Sequence, residues 1–137
     1  MNTDNSDISI MQLSDSFFPT GLYTMSSGLE TLFDEKKVRT FDEIQSFIET
    51  IISQQIGPSD CVALSNAYDL ASSGDIDGVV KCDKMLHSMK LIKEPRDASS
   101  MAGSQMIKCV KAFSQDDTLA KFSEVSQKCE TPSTHPV

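Results

Sequence analysis

The chain has 137 residues, with twelve basic side chains against twenty acidic ones and a net charge of −8. That length fits one domain, and the negative balance repels phosphate backbones and anionic bilayers, so neither nucleic acid nor a membrane is expected as a partner. Leu, Ile, Val and Phe supply 33 residues against 29 Ser and Thr, and there is no Trp, so a packed core is possible but modest. The charge is uneven: residues 1–60 hold ten acids and three bases, residues 61–137 ten and nine.

Met1 to Asp7 is polar and acidic, without the basic and apolar regions of an export signal, and reads as a disordered N-terminus. No run approaches the ~18 apolar residues of a membrane span. Cys61, Cys82, Cys109 and Cys129 are widely spaced. They read as reduced thiols of a cytoplasmic protein, serving mostly as small core residues.

Residues 8–130 then read as one helical domain. Ile8 to Phe18 has a helical pattern that stops at Pro19-Thr20-Gly21, which is turn chemistry. Tyr23 to Lys36 resumes as helix with Leu29, Leu32 and Phe33 inward. Thr40 and Glu43 form a capping box for the next helix, where Ile44, Phe47, Ile48, Ile51 and Ile52 recur at i, i+3, i+4, i+7, i+8 on one face. Gly57-Pro58 is expected to end it. A helix capped by Ser59 follows, with Cys61, Leu64, Tyr68 and Ala71 on its stripe, ending at Ser72-Ser73-Gly74. Asp75 caps the next, which carries Ile76, Val79, Val80 and Leu86. Glu94-Pro95 interrupts the pattern before a long helix with Ala102, Met106, Cys109, Val110 and Phe113 inward. A shorter helix holds Leu119, Phe122 and Val125. The tail 131–137 has no pattern and, by itself, looks frayed. No alternating strand pair occurs, so the fold expected is all-α, a bundle of six to seven short helices.

Searches for chemistry return little. No C-x-x-C occurs, and the histidines are His87 and His135 alone, so a structural zinc site is not supported. His87 reads as an exposed helical residue. There is no G-x-S-x-G elbow and no glycine-rich phosphate loop. Adjacent acids such as Asp34-Glu35, Asp42-Glu43 and Asp116-Asp117 diverge on a helix. Nothing here points to an enzyme. The stretch Phe18 to Glu30 is different: small and hydroxylic residues with two glycines fill a turn and the helix after it. A glycine inside a helix costs about 1 kcal/mol relative to alanine, so Gly28 predicts close approach of another backbone, from this subunit or from a partner.

At Gln12-Leu13-Ser14-Asp15-Ser16-Phe17-Phe18-Pro19-Thr20-Gly21-Leu22-Tyr23-Thr24-Met25-Ser26-Ser27-Gly28-Leu29-Glu30 the sequence resembles the UreF family of urease accessory proteins. Glu94 to Gly103 resembles the family's R-E/D-A-S-x-x-M/L-G segment, and Thr134-His135-Pro136-Val137 its H-x-P-V segment. The resemblance spans almost the whole chain. It implies a non-enzymatic helical scaffold for nickel insertion into apo-urease, bridging a UreD/UreH-like protein and the nickel-carrying UreG-like GTPase. A homodimer in that complex is implied, with nickel handled by the assembly and no cofactor or metal ligand on this chain.

By position, Tyr23, Ser26, Gly28 and Glu30 correspond to the surface facing the GTPase and the nickel route. Pro19 and Gly21 correspond to its turn, and Arg96 to its internal arginine; read from the residues alone, Arg96 instead pairs Asp97 or a neighbouring helix end. Met25 stands where relatives often have His or an aromatic residue, and Leu22 where the residue is usually small. The family continues past the H-x-P-V segment, so the resemblance also implies a truncated chain with exposed apolar faces on its late helices. The alternative reading is a helical protein–protein interaction domain unrelated to urease.

Overall fold

A computed structural model describes residues 3–15, 17–21, 26–128 and 130–136, with side chains from residue 8 onward. Seven α-helices and one π-helical segment make up these residues: α1 Thr3–Leu13, α2 Leu29–Asp34, α3 Phe41–Ile51, the π-helical Ile52–Cys61, α4 Val62–Ser72, α5 Ile76–Met89, α6 Lys93–Lys111 and α7 Asp117–Gln127. Among the described residues there is no strand, and the fold is all-α.

Local chemistry explains most boundaries. The Thr40 hydroxyl accepts the Glu43 N–H at 3.3 Å while Glu43 accepts the Thr40 N–H at 2.9 Å, so the capping box starts α3 as expected. Asp75 accepts from the Gly78 N–H and Asp116 from the Leu119 N–H, capping α5 and α7. Pro95 lies in the first turn of α6 rather than before it, where its missing N–H has no helical partner to lose.

Five expectations are corrected. Gly57-Pro58 does not stop the helix: the chain widens into π geometry through Pro58 and runs on into α4. A wider turn relieves the clash a proline ring makes in an α-helix. Ser59 is therefore no cap, and its hydroxyl instead donates to the Gln55 carbonyl. On α4 the inward residues are Ala63 and Ala67, while Leu64 and Tyr68 are exposed. Small side chains let α5 approach until the Cys82 thiol reaches the Ala63 carbonyl at 3.4 Å. The helix expected over Tyr23–Lys36 is shorter, and α2 begins only at Leu29. Finally, α1 begins at Thr3, inside the stretch read as disordered.

The core lies between α4, α5, α6 and α7, around Ala63, Ala67, Val79, Leu86, Ala102 and Phe122. The tail is not frayed there: Thr131, Ser133 and Thr134 are buried beside Asp83 of α5. Exposed apolar side chains do occur on the late elements, at Met85, Met89, Leu91, Ile92, Met101 and Phe113.

Candidate functional site

Residues 17–30 form the first candidate region. The Phe18 N–H donates to the Asp15 carbonyl and the Thr20 N–H to the Phe18 carbonyl, folding Pro19 into a tight turn that Gly21 completes at φ 85°. Tyr23, with Leu22 and Met25, lies outside the described residues. Ser26 is half-buried, and its carbonyl accepts the Leu29 N–H at 3.0 Å. Ser27 and Gly28 take left-handed conformations at φ 52° and 90°.

Gly28 is therefore the residue before α2, not one inside a helix, and nothing lies within 4 Å of where its Cβ would be. Its positive φ is itself a conformational reason for glycine, and among the described residues no backbone of the same chain approaches it. Glu30, in the first turn of α2, is exposed. It lines a groove of about 380 Å³ with Leu29, Phe33, Asp34, Val38 and Ile44. An acid in that turn complements the helix dipole.

Arg96 lies elsewhere. The Pro19 carbonyl sits near Cys109, toward the far end of α6, about 20 Å along the helix from its first turn. There the Arg96 guanidinium donates to the Lys90 carbonyl at 3.5 Å, at the C-terminal end of α5, where a cation offsets the unpaired carbonyls. Lys90 also forms a half-buried ion pair with Asp60 of the π-helical segment at 2.6 Å. A cavity of about 300 Å³ opens beside them, lined by Gln55, Ser59, Met89, Leu91 and Ile92. His135 belongs to this end: burial pushes its imidazole below the usual histidine range, opposed by Asp60 and reinforced by Lys90. The described motif residues are thus spread over the fold: Pro19 lies near Cys109, Glu30 beside the groove under α2, Arg96 at the C-terminal end of α5, and His135 shares a cavity with Leu13 and Ser14.

Among the described residues no group of three or more His, Cys, Asp or Glu side chains is arranged to hold a metal ion. The Ser88 hydroxyl turns back onto the Met85 carbonyl, so it is engaged with its own helix rather than offered to His87. No described helix is long and apolar enough to cross a membrane. The group that sequence reading missed is Asp83, fully buried and bonded to the tail. The signal was present, since Asp83 falls four residues after Val79 and three before Leu86, on the inward stripe.

A family model described as UreF matches residues 38–137. The urease accessory protein UreF of Trichodesmium erythraeum (strain IMS101) is 36% identical over 137 residues, covering 97% of this chain and 59% of the relative. That of Sporosarcina pasteurii is 26% identical over 109 residues, 80% of this chain and 54% of the relative. That of Lachnoclostridium phytofermentans is 31% identical over 104 residues, 76% and 46%. The chain belongs to the UreF family. It spans about half the length of these relatives, 46–59%, and matches their N-terminal parts. No solved structure matches it.

Proposed function

We propose that this chain serves urease maturation in the cytoplasm as a non-catalytic scaffold. It holds a UreD/UreH-like accessory protein and a UreG-like GTPase together, as a homodimer within the complex, while nickel passes to apo-urease. Nickel is cargo in this reading, and no resident metal or cofactor is assigned. Membership of the UreF family across residues 38–137 is the observation that carries it. Exposed apolar side chains along α3 and at the α5–α6 corner favour a chain that works inside an assembly.

Tyr23, Ser26, Gly28 and Glu30 are the proposed partner surface. Glu30 offers an exposed carboxylate beside the apolar groove under α2, a pairing that suits a basic partner residue or a passing cation. Pro19 and Gly21 shape the turn before it, and Arg96 secures the opposite end of α6 against α5.

Mixing the purified chain with UreD/UreH-like and UreG-like proteins of one urease system should give a co-eluting complex. A full-length relative serves as positive control. If the relative forms the complex and this chain does not, the scaffold reading fails for this chain. Glu30→Ala should weaken GTPase recruitment about tenfold, the loss of one charge-assisted contact, with helical circular dichroism unchanged.

A further inference from the structure

The Asp83 side chain is wholly removed from solvent. Among the described residues no Lys, Arg or His forms an ion pair with it. A buried carboxyl group is tolerated only where hydrogen bonds satisfy its oxygens, so its surroundings must supply donors. Its hydrogen-bond donors among the described residues come from one short stretch of chain. Oδ2 accepts from the Thr131 hydroxyl and, at 2.6 Å, from the Ser133 N–H. Oδ1 accepts the Thr134 N–H at 2.7 Å and the Thr134 hydroxyl at 2.5 Å.

Two of these donors are successive backbone N–H groups, and Ser133 is left-handed at φ 55°. Successive N–H groups around a left-handed residue form an anion-binding nest; here the anion is a side chain of the same protein. In the neutral isostere Asn the amide oxygen still accepts from one of those N–H groups, while the amide nitrogen faces the other and leaves it buried without an acceptor.

The stretch is held from the other side as well. Gly103 of α6 has no side chain, and the Ser133 carbonyl occupies the place its Cβ would take. The His135 N–H donates to the Ser99 carbonyl at 3.0 Å, and the Ser133 and Ser126 hydroxyls meet at 2.6 Å. Residues 131–135 thus cross between α5, α6 and α7 as a strap. Beyond the crossing, His135 and Pro136 wall a cavity of about 480 Å³ with Ile10, Leu13, Met106 and Phe122. His135 also stands within electrostatic reach of Asp60 and Lys90.

We propose that Asp83 is a positioning residue, whose carboxylate fixes the Thr131–Thr134 crossing and so seats His135 and Pro136 against the cavity. Its action runs through the nest, since Asp83 touches neither His135 nor the cavity. The inference concerns this chain alone and stands whether or not the partner assignments do.

The test follows the His135 imidazole by NMR across its titration, with His135→Gln assigning the signal against His87. In the native chain the midpoint should lie below the ordinary imidazole value, as its burial dictates. In Asp83→Asn it should return toward that range, and the Ser133 and Thr134 amides should exchange with solvent at least tenfold faster. Helical circular dichroism and the protection of Cys82 from thiol reagents should stay as they are, since they report the α4–α5 packing. Thr134→Val, which keeps the carboxylate and removes one donor, should move both readouts in the same direction by less. A folded Asp83→Asn with an unchanged His135 midpoint and unchanged exchange overturns the proposal. If Asp83→Asn does not fold, an unchanged His135 in folded Thr134→Val overturns it equally.

Discussion

The two parts of the molecule on either side of Val62 use apolar residues differently. From Val62 onward each helix contributes buried residues, and the strap after α7 adds Thr131, Ser133 and Thr134. Before Val62, Val38 is the buried residue among those described. Yet α3 carries the cleanest apolar stripe of the chain, and Ile44, Phe47 and Ile51 are only half-buried while Ile48 and Ile52 are exposed. An amphipathic stripe shows that a surface favours cover. It does not say that the same chain provides it. α5, whose inward stripe is interrupted by an aspartate, is buried deeper because the strap supplies that aspartate with donors.

Glycine substitutions separate the two parts most strongly. A side chain at Gly103 meets the Ser133 carbonyl and, within 2.8 Å, the His135 nitrogen, and backbone cannot turn aside as a flexible side chain can. Gly103→Val should therefore cost about 3 kcal/mol or more, enough to release the strap or prevent folding. Gly28 has open space around it and a φ of 90°, so Gly28→Ala should cost only the conformational penalty, about 1 kcal/mol. Urea denaturation of both variants measures the difference; equal losses would mean that the strap does not constrain α6.

Truncating apolar side chains sharpens the contrast at smaller scale. Leu86 is 1% exposed, and Leu86→Ala should cost about 2–5 kcal/mol. Ile48 is 48% exposed, and Ile48→Ala should change the stability of the isolated chain by less than about 0.5 kcal/mol. A large loss at Ile48 would show that α3 is covered in solution, by a second copy or by another part of the chain, and dilution would distinguish these.

The reach of sequence reading follows the same division. The capping box at Thr40, the Asp75 and Asp116 caps and the inward residues Val79, Leu86, Ala102 and Phe122 were legible, because each depends on neighbours within one helix. The π-helical passage through Pro58 was not. Proline marks where an α-helix fails, and whether the chain then stops or widens depends on how the following helix packs. The strap was illegible for a related reason. Thr131 to His135 has no periodicity, and its order comes from Asp83, nearly fifty residues earlier. At Gly28 the sequence marks a need for glycine, while a positive φ and a close approach by a partner look alike until the backbone is traced; the φ of 90° supplies the first reason. Of the candidate site, Pro19–Gly21 forms a turn and Arg96 donates to the Lys90 carbonyl at a helix end, while Tyr23 lies outside the described residues.

The smallest expected effect is the pH dependence of stability, which should differ between the two parts. Burial lowers the His135 imidazole below its ordinary 6.5, and Lys90 adds to this while Asp60 opposes it. The unfolded chain therefore takes up this proton first as pH falls, and the folded state loses ground from the ordinary imidazole range down to the depressed value. His135→Gln should flatten that slope. Glu43 is the counterpart in the N-terminal part: hydrogen bonds from the Arg39 and Thr40 N–H groups hold its carboxyl below the usual range. Its contribution is present above the ordinary glutamate range and is lost as pH falls through the folded value. Glu43→Gln should leave the histidine slope in place and reduce the loss at lower pH. Denaturation midpoints measured from about pH 7 to pH 3, a span covering both ordinary ranges, resolve the two. If His135→Gln leaves the upper slope unchanged, the strap does not hold His135 buried in solution, and the packed part of the molecule ends at α7.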